Sequence, residues 1–202
     1  MASKTYTLLA LGDSYTIGEG VALHESFAYQ TIQLLRKAGH NFNAPEIIAR
    51  TGWTTDDLKK GIRNNMFQTS YNFVSLLIGV NDQYQGKSIK EYTGNFELLL
   101  KQSIMFTANN PSNVFVFSIP DWGKTPFASG SDRQHITEEI NEFNKINQNI
   151  AIQYNARYIS ITEQIHGSID LASLTADQLH PSKKEYARWA NRLADEIQKS
   201  LA

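Results

Sequence analysis

Short, almost unbroken apolar runs alternate with amphipathic stretches along this chain, and that alternation restricts the fold more than any other feature. Thr5 to Leu11, Phe73 to Ile78 and Val114 to Ile119 read as strands, and the second of these is apolar enough to be covered on both faces. Glu46–Arg50 and Arg157–Ile161 read as shorter strands. The segments between them repeat apolar residues at helical spacing. Ser26 opens a helix to about Ala38, with Phe27, Leu34 and Leu35 inward and Gly39 as its stop. Thr54 with Asp57 forms a capping-box pattern ahead of Leu58, Ile62 and Met66, and Ser88 with Glu91 forms another ahead of Tyr92, Phe96, Leu99 and Leu100. That helix is expected to have ended by Pro111. Ile136, Ile140, Phe143, Ile150 and Tyr154 line a further helix. Ser182 with Glu185 forms a third capping-box pattern ahead of the last stripe, Tyr186, Trp189, Ala190, Leu193, Ile197 and Leu201. Strands that alternate with helices pair in parallel through crossovers. The expectation is an α/β fold over residues 1–202 as one domain: a three-layer α/β/α sandwich on a five-stranded parallel sheet of flavodoxin-like order.

Composition narrows the function classes. Hydrophobic residues make up 41% of the 202, enough for a core and against disorder. The net charge of -1, with no block of like charge, argues against nucleic acid or an anionic membrane as partner. The absence of cysteine removes disulfides, thiolate metal sites and cysteine nucleophiles. No apolar run approaches a membrane span, and Lys4 is followed by too short an apolar stretch for a signal peptide. The chain therefore reads as a soluble cytoplasmic protein. Its oligomeric state is not encoded in any pattern of this kind.

The chemistry is expected at the carboxyl ends of the strands, where such sheets bind ligands. The first run stops at Gly12-Asp13-Ser14, a turn that would lift Ser14 off the strand with its hydroxyl and N–H facing the same space. Gly12 removes a Cβ where the chain must bend. A serine hydroxyl is a poor nucleophile near pH 7 and needs a base within hydrogen-bond reach. Asp177-Gln178-Leu179-His180-Pro181 offers one: an Asp and a His three apart meet if the segment makes one turn, leaving the second ring nitrogen free. Of the other histidines, His24, His40 and His166 have no carboxylate in this setting, and the Asp132–His135 pair falls at a helix start and reads as solvated. An oxyanion needs preorganised donors. The Gly52 N–H and the Asn81 amide, after the second and third strands, could supply them.

Gly12-Asp13-Ser14-Tyr15, the glycine of Arg50-Thr51-Gly52-Trp53-Thr54, Gly79-Val80-Asn81-Asp82 and Asp177-Gln178-Leu179-His180-Pro181 resemble, in order, the four blocks of the SGNH hydrolases, the GDSL-type esterases and lipases. Tyr15 stands where the nominal motif has leucine. The resemblance implies ester hydrolysis of a small-molecule substrate without a cofactor. It makes Ser14 the nucleophile and first oxyanion donor, Gly52 and Asn81 the other donors, Asp177 the orienting acid, His180 the base, and Asp13 a brace for the turn. Tyr15, Trp53, Tyr84, Trp122 and Phe127 fall in loops on the same rim and are candidates to wall a pocket for an acyl group or a sugar. Two other readings remain open from the residues. Asp13, Asp82 and Asp121 each follow a strand and could cluster around Mg²⁺ in a phosphatase or phosphotransfer site. The glycine-rich turn invites a nucleotide, but neither dinucleotide nor P-loop spacing is present.

Overall fold

The structure is a computed structural model, and it describes residues 4–162 and 170–201. The three apolar runs become the centre of one parallel sheet. Its strands are β1 (Leu8–Gly12), β2 (Glu46–Ala49), β3 (Phe73–Leu77), β4 (Val114–Phe117) and β5 (Arg157–Ile159), in the order β2-β1-β3-β4-β5. That is the flavodoxin-like order expected. β1, β3 and β4 are buried at every position, because helices cover both faces. Removing each Leu, Val or Phe side chain from water contributes about 1.5–3 kcal/mol, so these strands carry much of the core.

The helices are α1 (Ser14–Ile17), α2 (Phe27–Lys37), α3 (Thr55–Arg63), α4 (Val80–Tyr84), α5 (Ile89–Phe106), α6 (Arg133–Gln153) and α7 (Lys183–Leu201). α2 packs extensively on α7, while α5 is flanked by α3 and α6. The stripes read from the sequence are the buried ones: Phe27 and Leu35 on α2, Tyr92, Phe96, Leu99 and Leu100 on α5, and Tyr186, Trp189, Leu193 and Ile197 on α7. The Thr54–Asp57 capping box forms in full. Ser88 accepts the Glu91 N–H at 3.2 Å.

Several expectations give way to local chemistry. The first strand starts at Leu8, since Tyr6 pairs instead with the chain beside Phe42. Met66 lies past the end of α3 and is 96% exposed, because Asn64 caps the helix and the Asn65 amide takes the Gly61 carbonyl. Ser26 precedes α2 but its buried hydroxyl makes no capping bond. The capping box expected of Ser182 and Glu185 is replaced: the Ser182 hydroxyl donates to the Ala172 carbonyl, and Glu185 accepts from Arg188 and Trp189 within α7. β4 ends at Phe117, and the chain beyond it is held by side chains. Asn144 brackets Ile119 through both its amide atoms, and the Ser118 hydroxyl accepts the Ile161 N–H.

β1 has β2 on one side and β3 on the other. The connections after β1 and β3 therefore leave in opposite directions and open a crevice at the carboxyl ends of those strands. Ser14 and Asn81 follow them.

Candidate active site

Asp13 caps α1: one oxygen of its carboxyl group accepts the Tyr15 N–H at 3.0 Å and its carbonyl accepts the N–H groups of Thr16 and Ile17. The turn that results is tight. A Cβ on Gly12 would lie 2.1 Å from the Thr16 hydroxyl and 2.3 Å from the Leu77 carbonyl of β3. Glycine is required here by the close approach of the neighbouring strand. Gly12→Ala is accordingly expected to destabilise the protein by about 3 kcal/mol, at the upper end of overpacking costs, in urea unfolding.

Asp177 and His180 meet as a one-turn segment allows. Gln178 takes a left-handed conformation (φ 60°), so the backbone folds back over the Asp177 side chain. One carboxylate oxygen accepts the N–H groups of Leu179 and His180 and the Thr175 hydroxyl, at 2.7–3.0 Å, and the other lies 2.7 Å from His180 Nδ1. Partial burial pushes the Asp177 carboxyl up, but the bonds from the His180 ring and N–H, then from Thr175 and Leu179, outweigh it and hold the group well below the usual carboxylate range. His180 is nearly buried against the Tyr15 ring, with centroids 4.9 Å apart, and its Nε2 lies 2.9 Å from Ser14 Oγ. Residues 166 positions apart are thus joined in one chain of hydrogen bonds.

Gly52 and Asn81 line the same cavity, of about 180 Å³, as Ser14 and His180. Nothing crowds a Cβ at Gly52; its φ of 80° is what favours glycine. Asn81 gives one amide proton to the Trp53 carbonyl at 3.0 Å, which leaves the other proton of that NH₂ free for a ligand. Asp82, the next residue, accepts the Thr55 N–H at 2.8 Å and the Thr55 hydroxyl at 2.6 Å. The two side chains tie the segment after β3 to the segment after β2. Tyr84 and Phe127 wall the mouth, and Trp122 packs edge-on against both from the inner side. Tyr15 lines the cavity from beneath the imidazole.

Trp53 is the pocket candidate that the structure sets elsewhere. Its indole lies on Gly61 of α3, where a Cβ would come within 2.3 Å of the ring, so it faces the helix and only its carbonyl serves the site. The three carboxylates considered for Mg²⁺ do not form a cluster: Asp13 caps α1, Asp82 holds Thr55, and Asp121 accepts from Gly123 and Thr137. Among the described residues no three His, Asp or Glu are grouped to hold a metal ion. His135 pairs with Glu139 on the exposed face of α6, and His166 lies outside the described residues. Sequence reasoning missed Gln83, whose side chain accepts the Trp122 indole N–H at 2.7 Å and donates to Glu139 at 2.8 Å. It also missed Thr175. A hydroxyl two residues before a carboxylate in a turn is a signal that could have drawn attention to it.

The fold is that of an α/β protein with its site in the crevice at the carboxyl ends of the strands. Residues 10–188 match the GDSL-like Lipase/Acylhydrolase family. The chain belongs to that family and is a carboxylic ester hydrolase. No curated protein matches it in sequence. Among solved structures it is similar to the psychrotrophic esterase EstA from a Pseudoalteromonas species (22% identity, 96% of this chain and 98% of that one, TM-score 0.70). It is also similar to a lipase/acylhydrolase from Enterococcus faecalis (20%, 96% and 96%, TM-score 0.73) and to a variant of the acetyl xylan esterase Axe2 from Geobacillus stearothermophilus (16%, 98% and 97%, TM-score 0.73). At these identities the likeness is one of fold. No helix among the described residues is long and apolar enough to cross a membrane.

Proposed function

We propose that the protein hydrolyses esters of short acyl groups through a covalent acyl-enzyme on Ser14. The observation that carries this reading is the unbroken hydrogen-bond chain from Asp177 through His180 to Ser14 Oγ. With His180 protonated on Nδ1 and bonded to Asp177, its Nε2 lone pair faces the serine hydroxyl. Oγ attacks the ester carbonyl carbon while Nε2 takes the hydroxyl proton. The carbonyl π electrons pass to oxygen, and the N–H groups of Ser14 and Gly52 and the free Asn81 amide proton receive the oxyanion. Each such donor is worth about a hundred- to a thousandfold in rate. As the intermediate collapses, the imidazolium returns its proton to the leaving alkoxide. Water then repeats the sequence on the acyl-enzyme and releases the carboxylic acid and free Ser14. Only neutral imidazole can accept this proton.

Cavity size favours small substrates. At about 180 Å³ it is below the roughly 300–1,000 Å³ of sites for drug-sized ligands. The leaving alcohol needs an exit, and the mouth beside exposed Gly52, Tyr84 and Phe127 is open, so the acyl group takes the enclosed side towards Trp122. Incubation with a fluorophosphonate, followed by peptide mass mapping, should place one phosphonyl group on Ser14 and none on the Ser14→Ala protein. Labelling at another residue, or no labelling, would overturn the assignment. A p-nitrophenyl ester series should show acetate and butyrate hydrolysed ahead of longer chains.

A further inference from the structure

Beyond the enclosed end of the Ser14 cavity lies a second one, of about 230 Å³, between the ends of β4 and β5 and the first half of α7. Tyr15, Trp122 and Leu179 line both, so these three side chains are the partition between them. The far walls of the second cavity include Ile161, Leu174 and Trp189. Of its charged groups, Arg188 pairs with Glu185 at 2.6 Å, Asp170 accepts the Ala172 N–H, Asp121 accepts from Gly123 and Thr137, and Arg192 donates to the Ser160 carbonyl. Ile161, Leu174, Leu179 and Trp189 give a hydrocarbon chain apolar wall.

The partition is built to stay put. Trp122 is 7% exposed, its indole N–H is held by Gln83, Gln83 is held by Glu139, and Tyr84 and Phe127 pack edge-on against the ring. Neither cavity alone reaches the usual volume of a ligand site; joined, they do. We propose that the second cavity is the space into which a longer acyl chain would run past Trp122, and that Trp122 therefore sets the acyl length at which hydrolysis falls off. The proposal rests on the serine-esterase reading given above.

The test compares kcat/KM for p-nitrophenyl decanoate and p-nitrophenyl acetate. Trp122→Ala is expected to raise the decanoate-to-acetate ratio at least tenfold, since each methylene accommodated by an apolar wall is worth about tenfold or more in discrimination. Leu179→Ala thins the same partition without touching the Gln83 bond and should raise the ratio in the same direction; it carries the test if the tryptophan variant does not fold. Adding Leu174→Trp to either variant refills the far cavity and should return the ratio towards its starting value. An unchanged ratio in the folded single variants, or a gain that survives Leu174→Trp, overturns the proposal. If acetate hydrolysis and Ser14 labelling persist in that case, the esterase reading stands and only the extension is lost. If the wild-type protein neither labels at Ser14 nor hydrolyses acetate, both fall together.

Discussion

His180→Ala is expected to lower kcat for p-nitrophenyl acetate by about 10⁴- to 10⁶-fold, and Ser14→Ala by a similar factor. The size follows from the way the two atoms work together. Without the imidazole, Ser14 Oγ must attack while still carrying its proton; without the hydroxyl, the imidazole has nothing to activate. The donors around the oxyanion survive both changes, so the residual rate should remain above that of the uncatalysed reaction. Because the groups act as a unit, the double variant should lose little more than either single one. Asp177→Asn should cost less than either. An amide at that position still accepts the Leu179 and His180 N–H groups through one oxygen, but facing Nδ1 it can donate its own proton and favour the wrong tautomer. Thermal melts alongside the kinetics separate chemistry from folding, since His180 also packs against Tyr15. A His180→Ala protein within tenfold of wild type, or an Asp177→Asn protein as impaired as Ser14→Ala, would remove His180 or Asp177 from these roles.

Sequence and structure agree most closely where the signal is local. The apolar runs at Leu8, Phe73 and Val114 needed only their own composition to declare strands, and the Thr54–Asp57 box needed only four residues. The meeting of Ser14 with His180 was legible because the fold class itself puts strand ends on one rim. What stayed hidden depends on pairs distant along the chain. Gly12 is demanded by the Leu77 carbonyl of another strand, Trp53 is turned by Gly61 on the next helix, and Ser182 finds Ala172 before it can cap α7. None of these partners lies within the reach of a periodicity or a capping pattern. Gln83 was invisible for the same reason: its importance comes from bridging Trp122 and Glu139, 39 and 56 positions away.

Asp13 gives the second large effect, on stability. The residue is wholly buried, and burial, with Asp82 nearby adding to it against the Tyr15 N–H, pushes its carboxyl up to about 8. Its second oxygen has no hydrogen-bond partner, so little offsets a charge there. In the unfolded chain the same group ionises near 3.8. The folded state therefore holds a proton that the unfolded state releases between these values. The stability this group confers is complete below about pH 4, declines as pH rises, and is gone above about pH 8. The slope is at most about 1.4 kcal/mol per pH unit, and the whole loss is roughly 6 kcal/mol. Asparagine keeps the oxygen that accepts the Tyr15 N–H and stays neutral throughout. Asp13→Asn should thus match wild type in urea unfolding at pH 4 and exceed it by several kcal/mol at pH 8. Asp177 does not blur the comparison: its carboxyl is held low, so its contribution is constant above about pH 5 and lost only in stronger acid, equally in both proteins. Subtracting the two pH profiles also cancels every exposed histidine. Parallel profiles from pH 5 to 8 would mean that Asp13 is ionised in the native turn, and the charge would then have to be balanced by a group other than the Tyr15 N–H.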